Sequence, residues 1–302
     1  MTGPSKWQAL PTEAVNPSTA NLDTLPIEEI VERMMLDNRR VLDAVRQEKP
    51  NIQRAVAVLV DALNRRGRLI FVGAGTSGRL GVLEAAEMPP TFGISNDVVH
   101  AIMAGGNDAV HRAKEGVEDD EQEGGQAVAR LRPTKRDVVI GVSASGVTPF
   151  VRGALTRASR ARAAIVGVTC DPNSEMRASA DVLIALRVGP EVIAGSTRLK
   201  AGTATKMVLN MLTTAAMVRT GKVYGNLMVD VQSTSDKLRD RGRRIVSAVT
   251  GLDEAAADRA LRAAKGSVKI AIVMQKAGLT YARARSRLRA SGDSVRQAIG
   301  EA

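Results

Sequence analysis

Five short, almost wholly apolar runs at residues 68–73, 98–103, 137–142, 164–169 and 182–188 alternate with stretches of helical periodicity, and this alternation constrains the fold more than any other feature of the chain. A strand that is apolar at every position has no face to show to water, so both sides of its sheet must be covered. Helices between the strands supply the cover and, as crossovers, make neighbouring strands parallel. The expected architecture is therefore α/β, with three layers around a parallel sheet. Helices are expected after Ser77, near Ala109 and Glu121, after Thr148 and after Asn173. Aromatic residues make up only 2% of the chain, so the core must be packed by Ala, Val, Leu, Ile and Met.

The first 25 residues, rich in Pro, Thr and Asn, read as an irregular arm that is either mobile or held down by a neighbour. Helical spacing begins at Pro26, with Ile27, Ile30, Val31, Met34 and Met35 on one face and Thr24 as candidate N-cap. A second amphipathic helix follows Pro50 and runs to about Arg66. Residues 200–219 form a longer one, with Ala204, Met207, Val208, Met211, Leu212, Ala215 and Ala216 expected on its packed face. Beyond residue 231 the chain turns to Ala, Arg and Lys with breaks at Gly251, Gly266, Gly278 and Gly292, which reads as several short helices. The expected divisions are an arm and helices at 1–56, the sheet domain at 57–222, and a linker with a small helical domain at 223–302.

Several function classes drop out on composition. The arm has no apolar core for a signal peptide and no run is long enough for a membrane span, so a cytoplasmic protein is expected, with no membrane partner. The single cysteine, Cys170, cannot form an internal disulfide and should pack at a strand end. His100 and His111 show no metal-ligand spacing with it, so no metal site is expected. No G-x-S-x-G is present for an acyl enzyme. The formal net charge of +11 would favour a nucleic acid, but residues 235–302 hold fifteen Lys/Arg against seven Asp/Glu, so most of the excess lies in the tail. An Arg-rich solvated surface explains that as well, and no nucleic-acid partner is expected.

Two turns carry the polar chemistry. In Phe71-Val-Gly-Ala-Gly-Thr-Ser-Gly-Arg79 a strand passes directly into a helix, which aims backbone N–H groups and the helix N-terminus at the carboxyl edge of the sheet, where anions bind. The glycine spacing fits neither a dinucleotide fingerprint nor a nucleoside triphosphate loop, so a small phosphate is the expected ligand, held by Gly75, Thr76 and Ser77. Val142-Ser-Ala-Ser-Gly-Val-Thr-Pro149 repeats the arrangement, with Ser143, Ser145, Gly146 and Thr148 as candidate contacts. Two such cradles in one sheet point to one sugar phosphate. An acidic run at 115–123, together with Glu87, offers carboxylates, but sequence spacing cannot rank them.

The segment GAGTSGRLGVLEAAEMPPTFG at 73–93 strongly resembles the N-acetylmuramic acid 6-phosphate etherase family, and so, in order and spacing, do AGG at 104–106, EGVED at 115–119, SASGVTP at 143–149, VGPEVIAGSTRLKAGTATKMVLNML at 188–212 and GKVYGNLMVDV at 221–231. The resemblance runs from about Leu22 to Ile299. It implies a sugar isomerase (SIS) domain followed by a ubiquitin-associated-type helical bundle, cleavage of the D-lactyl ether of N-acetylmuramic acid 6-phosphate in peptidoglycan amino-sugar recycling, and no cofactor. It places the family's acid glutamate on Glu87 and its second catalytic glutamate on Glu118, which, amid Asp119 and Asp120, is expected to stay ionised as the base. Val147 stands where relatives often carry Arg, Met88 where they carry Cys, and Leu199 and Thr205 where Met and Gln are common; Val147 removes one polar contact near the phosphate turn.

The implied chemistry explains two carboxylates. With the sugar ring open, the C2 proton is α to a carbonyl, and its loss expels the C3 substituent. One group must take that proton and another must protonate the departing ether oxygen. An acid for the second task needs apolar surroundings, and Glu87 has Ala85, Ala86, Met88 and Pro89 beside it in sequence. SIS domains commonly pair, and the apolar front helices point to a homodimer. The competing reading is a non-catalytic sugar-phosphate-binding regulator of the same fold family, which would need no acid and base.

Overall fold

In the computed structural model, residues 7, 9–231 and 236–301 are described. The chain divides into two compact units, Met1–Ala85 with Asp97–Thr213, and Ala86–Asn96 with Thr214–Ala302.

The first unit holds β1 (Leu69–Gly73), β2 (Val99–Met103), β3 (Val138–Val142), β4 (Ala164–Thr169) and β5 (Val182–Ala185), all parallel, in the order β2-β1-β3-β4-β5. The order reverses between β1 and β3: the chain leaves β1 for β2 on one side, then returns to β3 on the other. In an open parallel sheet such a reversal leaves a crevice at the carboxyl ends of the two strands. Every residue of β1 and β3 is buried, as their continuous apolar sequence requires. Ile70, Val72 and Val139 pack with Phe150, Val151 and Leu155 in one core layer, each fully buried aliphatic contributing roughly 1.5–3 kcal/mol.

The helices of this unit are α1 (Ile27–Gln47), α2 (Lys49–Asn64), the start of α3 (Gly75–Phe92), the single turn α4 (Asp108–His111), α5 (Glu121–Arg130), α6 (Pro149–Arg160) and most of α7 (Lys200–Arg219). Four sequence expectations need correction. Thr24 does not cap α1: its hydroxyl donates to the Asn21 carbonyl at 2.8 Å inside a 3₁₀ turn, and Pro26 occupies the cap position. After Asn173 there is only a 3₁₀ turn, Glu175–Ala178, because Ser174 caps so short a segment. β5 stops at Ala185, three residues early. On α7, Met211 is exposed; the buried face is Ala204, Thr205, Val208, Leu209, Leu212, Thr213, Ala216 and Met217, a strict four-residue repeat that admits two threonines.

The described part of the arm is held down. Thr12, Asn16 and Thr19 are buried, and Thr19 Oγ1 donates to the Val192 carbonyl at 3.0 Å while Gly195 N–H donates to the Thr12 carbonyl at 3.1 Å. Beneath this contact Lys200, 1% exposed, places its ammonium 2.6 Å from the Asp37 carboxylate of α1.

The second unit contains a two-stranded hairpin, β6 (Val223–Tyr224) and β7 (Leu227–Met228), and the helices α8 (Asp236–Thr250), α9 (Glu254–Ala263), α10 (Val268–Ala277), α11 (Tyr281–Ala290) and α12 (Val295–Ile299). Ala257, Ala264, Ala271, Ala284 and Ala298 alternate with Val246, Ile272, Val273 and Leu288 in its core, so small residues let five short helices approach closely. Asp253, Ser267 and Ser294 cap three of them. Asp230 accepts both Lys269 at 2.7 Å and Lys222 at 3.0 Å. Burial pushes the Lys269 ammonium below its usual value, against the pull of Asp230.

Candidate active site

β1 ends at Gly73 and α3 starts at Gly75, so the Thr76 and Ser77 side chains, both half-buried, stand at a helix N-terminus on the carboxyl edge. Arg79 ties α3 to α4, donating from Nε to the Val110 carbonyl (2.9 Å) and from a terminal nitrogen to that of Ala109 (2.8 Å). The second turn leaves β3 at Val142. Ser143 is 3% exposed and its hydroxyl is committed to the turn: Gly146 N–H donates to it at 3.0 Å and Thr148 Oγ1 lies 2.7 Å away. Ser145 makes only 3.5 Å contacts, to Ser143 Oγ and Val147 N–H.

Both turns line one cleft of about 520 Å³, at the reversal point between β1 and β3. Gly75, Thr76, Ser77, Ser143, Ser145 and Thr148 all face it. Gly146 and Val147 are not among the lining residues. Gly146 has φ +73° and a Cβ there would fall 2.2 Å from Ser174 Oγ, so its part is to let the turn close.

Folding ranks the acidic run that sequence left unranked. Asp120 caps α5, accepting from Glu123 N–H at 2.8 Å. Glu121 pairs with Arg152, whose hydrogen bond holds its carboxyl below the usual range, and Glu123 pairs with Arg130. Glu115, Glu118 and Asp119 remain, and of these Glu115 and Glu118 line the cleft; Glu115 is exposed, whereas Glu118 is half-buried in a 3₁₀ turn after Gly116.

Glu87 is placed differently. It is exposed on α3 and is not among the cleft residues, because each helical step turns the side chain by about 100°: Met88 next to it is 2% exposed and takes the inward position. Its apolar sequence neighbours therefore do not enclose it in the single chain. The inward carboxylate of α3 is Glu84, 6% exposed, which accepts from Asn210 Nδ2 at 2.6 Å and from the Thr213 hydroxyl.

Thr12, Glu13, Lys114, Gly195 and Thr197 also line the cleft, and sequence reasoning missed them. No local signal marks Thr12 or Glu13; long-range hydrogen bonds to the 190–197 segment bring them there. Among the described residues no group of three His, Cys, Asp or Glu is placed to hold a metal, and no helix is long and apolar enough to cross a membrane. The cleft offers hydroxyls, N–H groups and carboxylates instead. A depression of about 360 Å³ in the second unit, lined by Arg239, Asp240, Arg243, Asp258, Leu261, Arg262 and Gly266, has much of its charge spent internally, with Arg243 on Asp240 and Arg262 on Asp258.

Comparison with known proteins bears on the fold and the family. Residues 51–159 match the model of the glucokinase regulatory protein N-terminal SIS domain, and residues 123–215 match the SIS domain. A solved phosphoheptose isomerase from Francisella tularensis matches with a TM-score of 0.50 at 14% identity, over 64% of this chain and 98% of that one, a likeness of fold alone. The N-acetylmuramic acid 6-phosphate etherase of Salinibacter ruber is 50% identical, covering 97% of this chain and 94% of the relative. That of Symbiobacterium thermophilum is 51% identical over 89% and 90%, and that of Aeromonas hydrophila 46% identical over 95% and 96%. At such identity along nearly its whole length, the chain belongs to the N-acetylmuramic acid 6-phosphate etherase family.

Proposed function

We propose that the cleft between the ends of β1 and β3 binds N-acetylmuramic acid 6-phosphate and cleaves its D-lactyl ether, giving N-acetylglucosamine 6-phosphate and D-lactate. The observation that carries this reading is two hydroxyl-rich helix starts facing one cleft together with Glu118. The phosphate lies between Thr76 and Ser77 on α3 and Ser145 and Thr148 at the start of α6, where N–H groups and helix dipoles favour negative charge. Ser143 holds the second turn in shape.

Glu118 is the base. With the ring open it takes the proton from C2, the electrons move toward the aldehyde oxygen, the C3–O bond breaks, and lactate leaves as its alcohol once its oxygen is protonated. Water then adds at C3 and a proton returns to C2, so the balance is one water consumed. Glu87 is the acid that protonates the lactyl oxygen, and because it stands outside the cleft of its own chain it does so across a homodimer interface. It shares an exposed face of α3 with Leu83, one turn before it and 45% exposed. On α1, Ile27, Val31 and Met35 form an exposed apolar stripe, 50–77% accessible, of the kind that marks an interface. A homodimer that covers these faces takes Glu87 out of water, the surroundings its role requires. The reaction is one of cytoplasmic amino-sugar recycling, and no resident cofactor enters any step.

A non-catalytic sugar-phosphate regulator is not favoured: the end-to-end relatives are etherases, and binding alone needs no Glu118 in the cleft. Purified protein is expected to release D-lactate from N-acetylmuramic acid 6-phosphate and to act poorly on the unphosphorylated sugar; no release would overturn the assignment.

A further inference from the structure

Thr12 is 6% exposed and lines the cleft, yet its hydroxyl has no hydrogen-bonding partner among the described residues. A buried hydroxyl left unpaired costs on the order of 1–3 kcal/mol, so such a group either reflects poor packing or awaits a ligand. Poor packing does not describe this segment. The Thr12 carbonyl accepts from Gly195 N–H at 3.1 Å, Asn16 Nδ2 donates to the Pro190 carbonyl at 3.3 Å, and Lys200 pairs with Asp37 below. Gly195 has φ +77°, and a Cβ there would lie 3.2 Å from Glu13 Oε2, so the backbone is shaped to let the arm close in.

We propose that Thr12, with Glu13 beside it, is a substrate-binding subsite for the 2-acetamido group of the sugar. The inference rests on the etherase reading of this cleft and assigns a group to the wall that the arm supplies. A carboxylate on that wall repels both the phosphate and the lactyl carboxylate, so neither belongs there. A neutral amide suits it. Its N–H donates to the Glu13 carboxylate and its carbonyl accepts from the Thr12 hydroxyl, which gives that buried hydroxyl a partner. The arm then selects amino sugars over plain hexoses by pairing a buried polar group that a hexose leaves unpaired.

The test is calorimetric binding of N-acetylglucosamine 6-phosphate and of glucose 6-phosphate to the wild type, Thr12→Val and Thr12→Ser. The wild type is expected to prefer the acetamido sugar. Thr12→Val, isosteric and lacking only the hydroxyl, should lose about 3- to 10-fold of that preference, the worth of one neutral hydrogen bond. Its melting temperature should not fall, since the fold makes no use of the hydroxyl; a merely structural threonine would behave in the opposite way. Thr12→Ser should retain the preference. An unchanged preference in Thr12→Val overturns the proposal, as does equal weakening of both ligands, which assigns Thr12 to a hydroxyl the two sugars share. Failure of the wild type to bind either sugar phosphate overturns the reading of the cleft and the subsite with it.

Discussion

The two units treat polar groups in opposite ways. In the sheet unit the strands are sealed, and polarity is concentrated where β1 and β3 end, with hydroxyls at Thr76, Ser77 and Ser145 turned to a cleft and the Thr12 hydroxyl unpaired. In the helical unit it is the carboxylates that are mostly matched in place by a neighbouring cation: Asp236 by Arg239, Asp240 by Arg244, Asp258 by Arg262, Asp230 by Lys269. Unspent hydrogen-bonding capacity gathered at a strand edge marks a site for chemistry, whereas charge answered by neighbouring charge marks structure. A net excess of positive charge is thus a weaker guide to function than hydroxyls gathered on one cleft.

The largest effect that could break this contrast belongs to Glu118. Glu118→Gln is expected to lower lactate release by about 10²–10⁴-fold and to abolish exchange of the C2 proton with deuterated water, while leaving the melting temperature unchanged. Glu87→Gln should block release by as much without abolishing that exchange to the same degree. In the helical unit the matching change should act on stability alone. Asp230→Ala leaves Lys269 and Lys222 facing each other without their carboxylate and is expected to cost about 3–5 kcal/mol in denaturant unfolding. Arg283→Ala, on an exposed face of α11, should shift stability by no more than about 0.5 kcal/mol.

Ser145→Ala and Ser77→Ala sharpen the comparison at the phosphate end. Each should raise KM for the phosphorylated sugar by the equivalent of about 1.5–3 kcal/mol, the worth of a hydrogen bond to a charged group; unchanged kinetics in both would reject the cradle. The smallest effect is one of pH. Burial would raise the Asp137 carboxyl, but hydrogen bonds from the Arg68 guanidinium, from Thr134 N–H and from Arg68 N–H outweigh it and hold it below its ordinary 3.8. A lowered folded-state value contributes stability above the unfolded-state one and loses it as pH falls through the folded one. Unfolding titrations should therefore show a loss beginning below about pH 3.8, and Asp137→Asn should flatten it. Cys170, pushed up to about 12 by burial and then by Glu191, should stay unreactive to thiol reagents at pH 8 until the protein is unfolded.

Much of this was legible in the sequence because it depends on local pattern. Apolar runs without alternation announce a covered parallel strand, so β4 begins and ends where expected at Ala164–Thr169, and α7 spans Lys200–Arg219 as the spacing implied. Strand-to-helix turns with Gly and Ser marked the two turns that line the cleft. What was not legible depends on long-range contact. Nothing beside Thr12 in sequence shows that Gly195 will fix its carbonyl, and nothing within residues 115–123 shows that Arg152 and Arg130 will claim Glu121 and Glu123 and leave Glu115 and Glu118 to the cleft. The surroundings of Glu87 were misjudged for a related reason, since neighbours along a helix point in different directions from the residue they flank.

Turnover in ¹⁸O-labelled water tests the central claim most directly. If the cleft works by elimination and readdition, solvent oxygen appears at C3 of the N-acetylglucosamine 6-phosphate released, and the lactate carries none; label in the lactate with none at C3 would show that the other ether bond breaks and would contradict the mechanism.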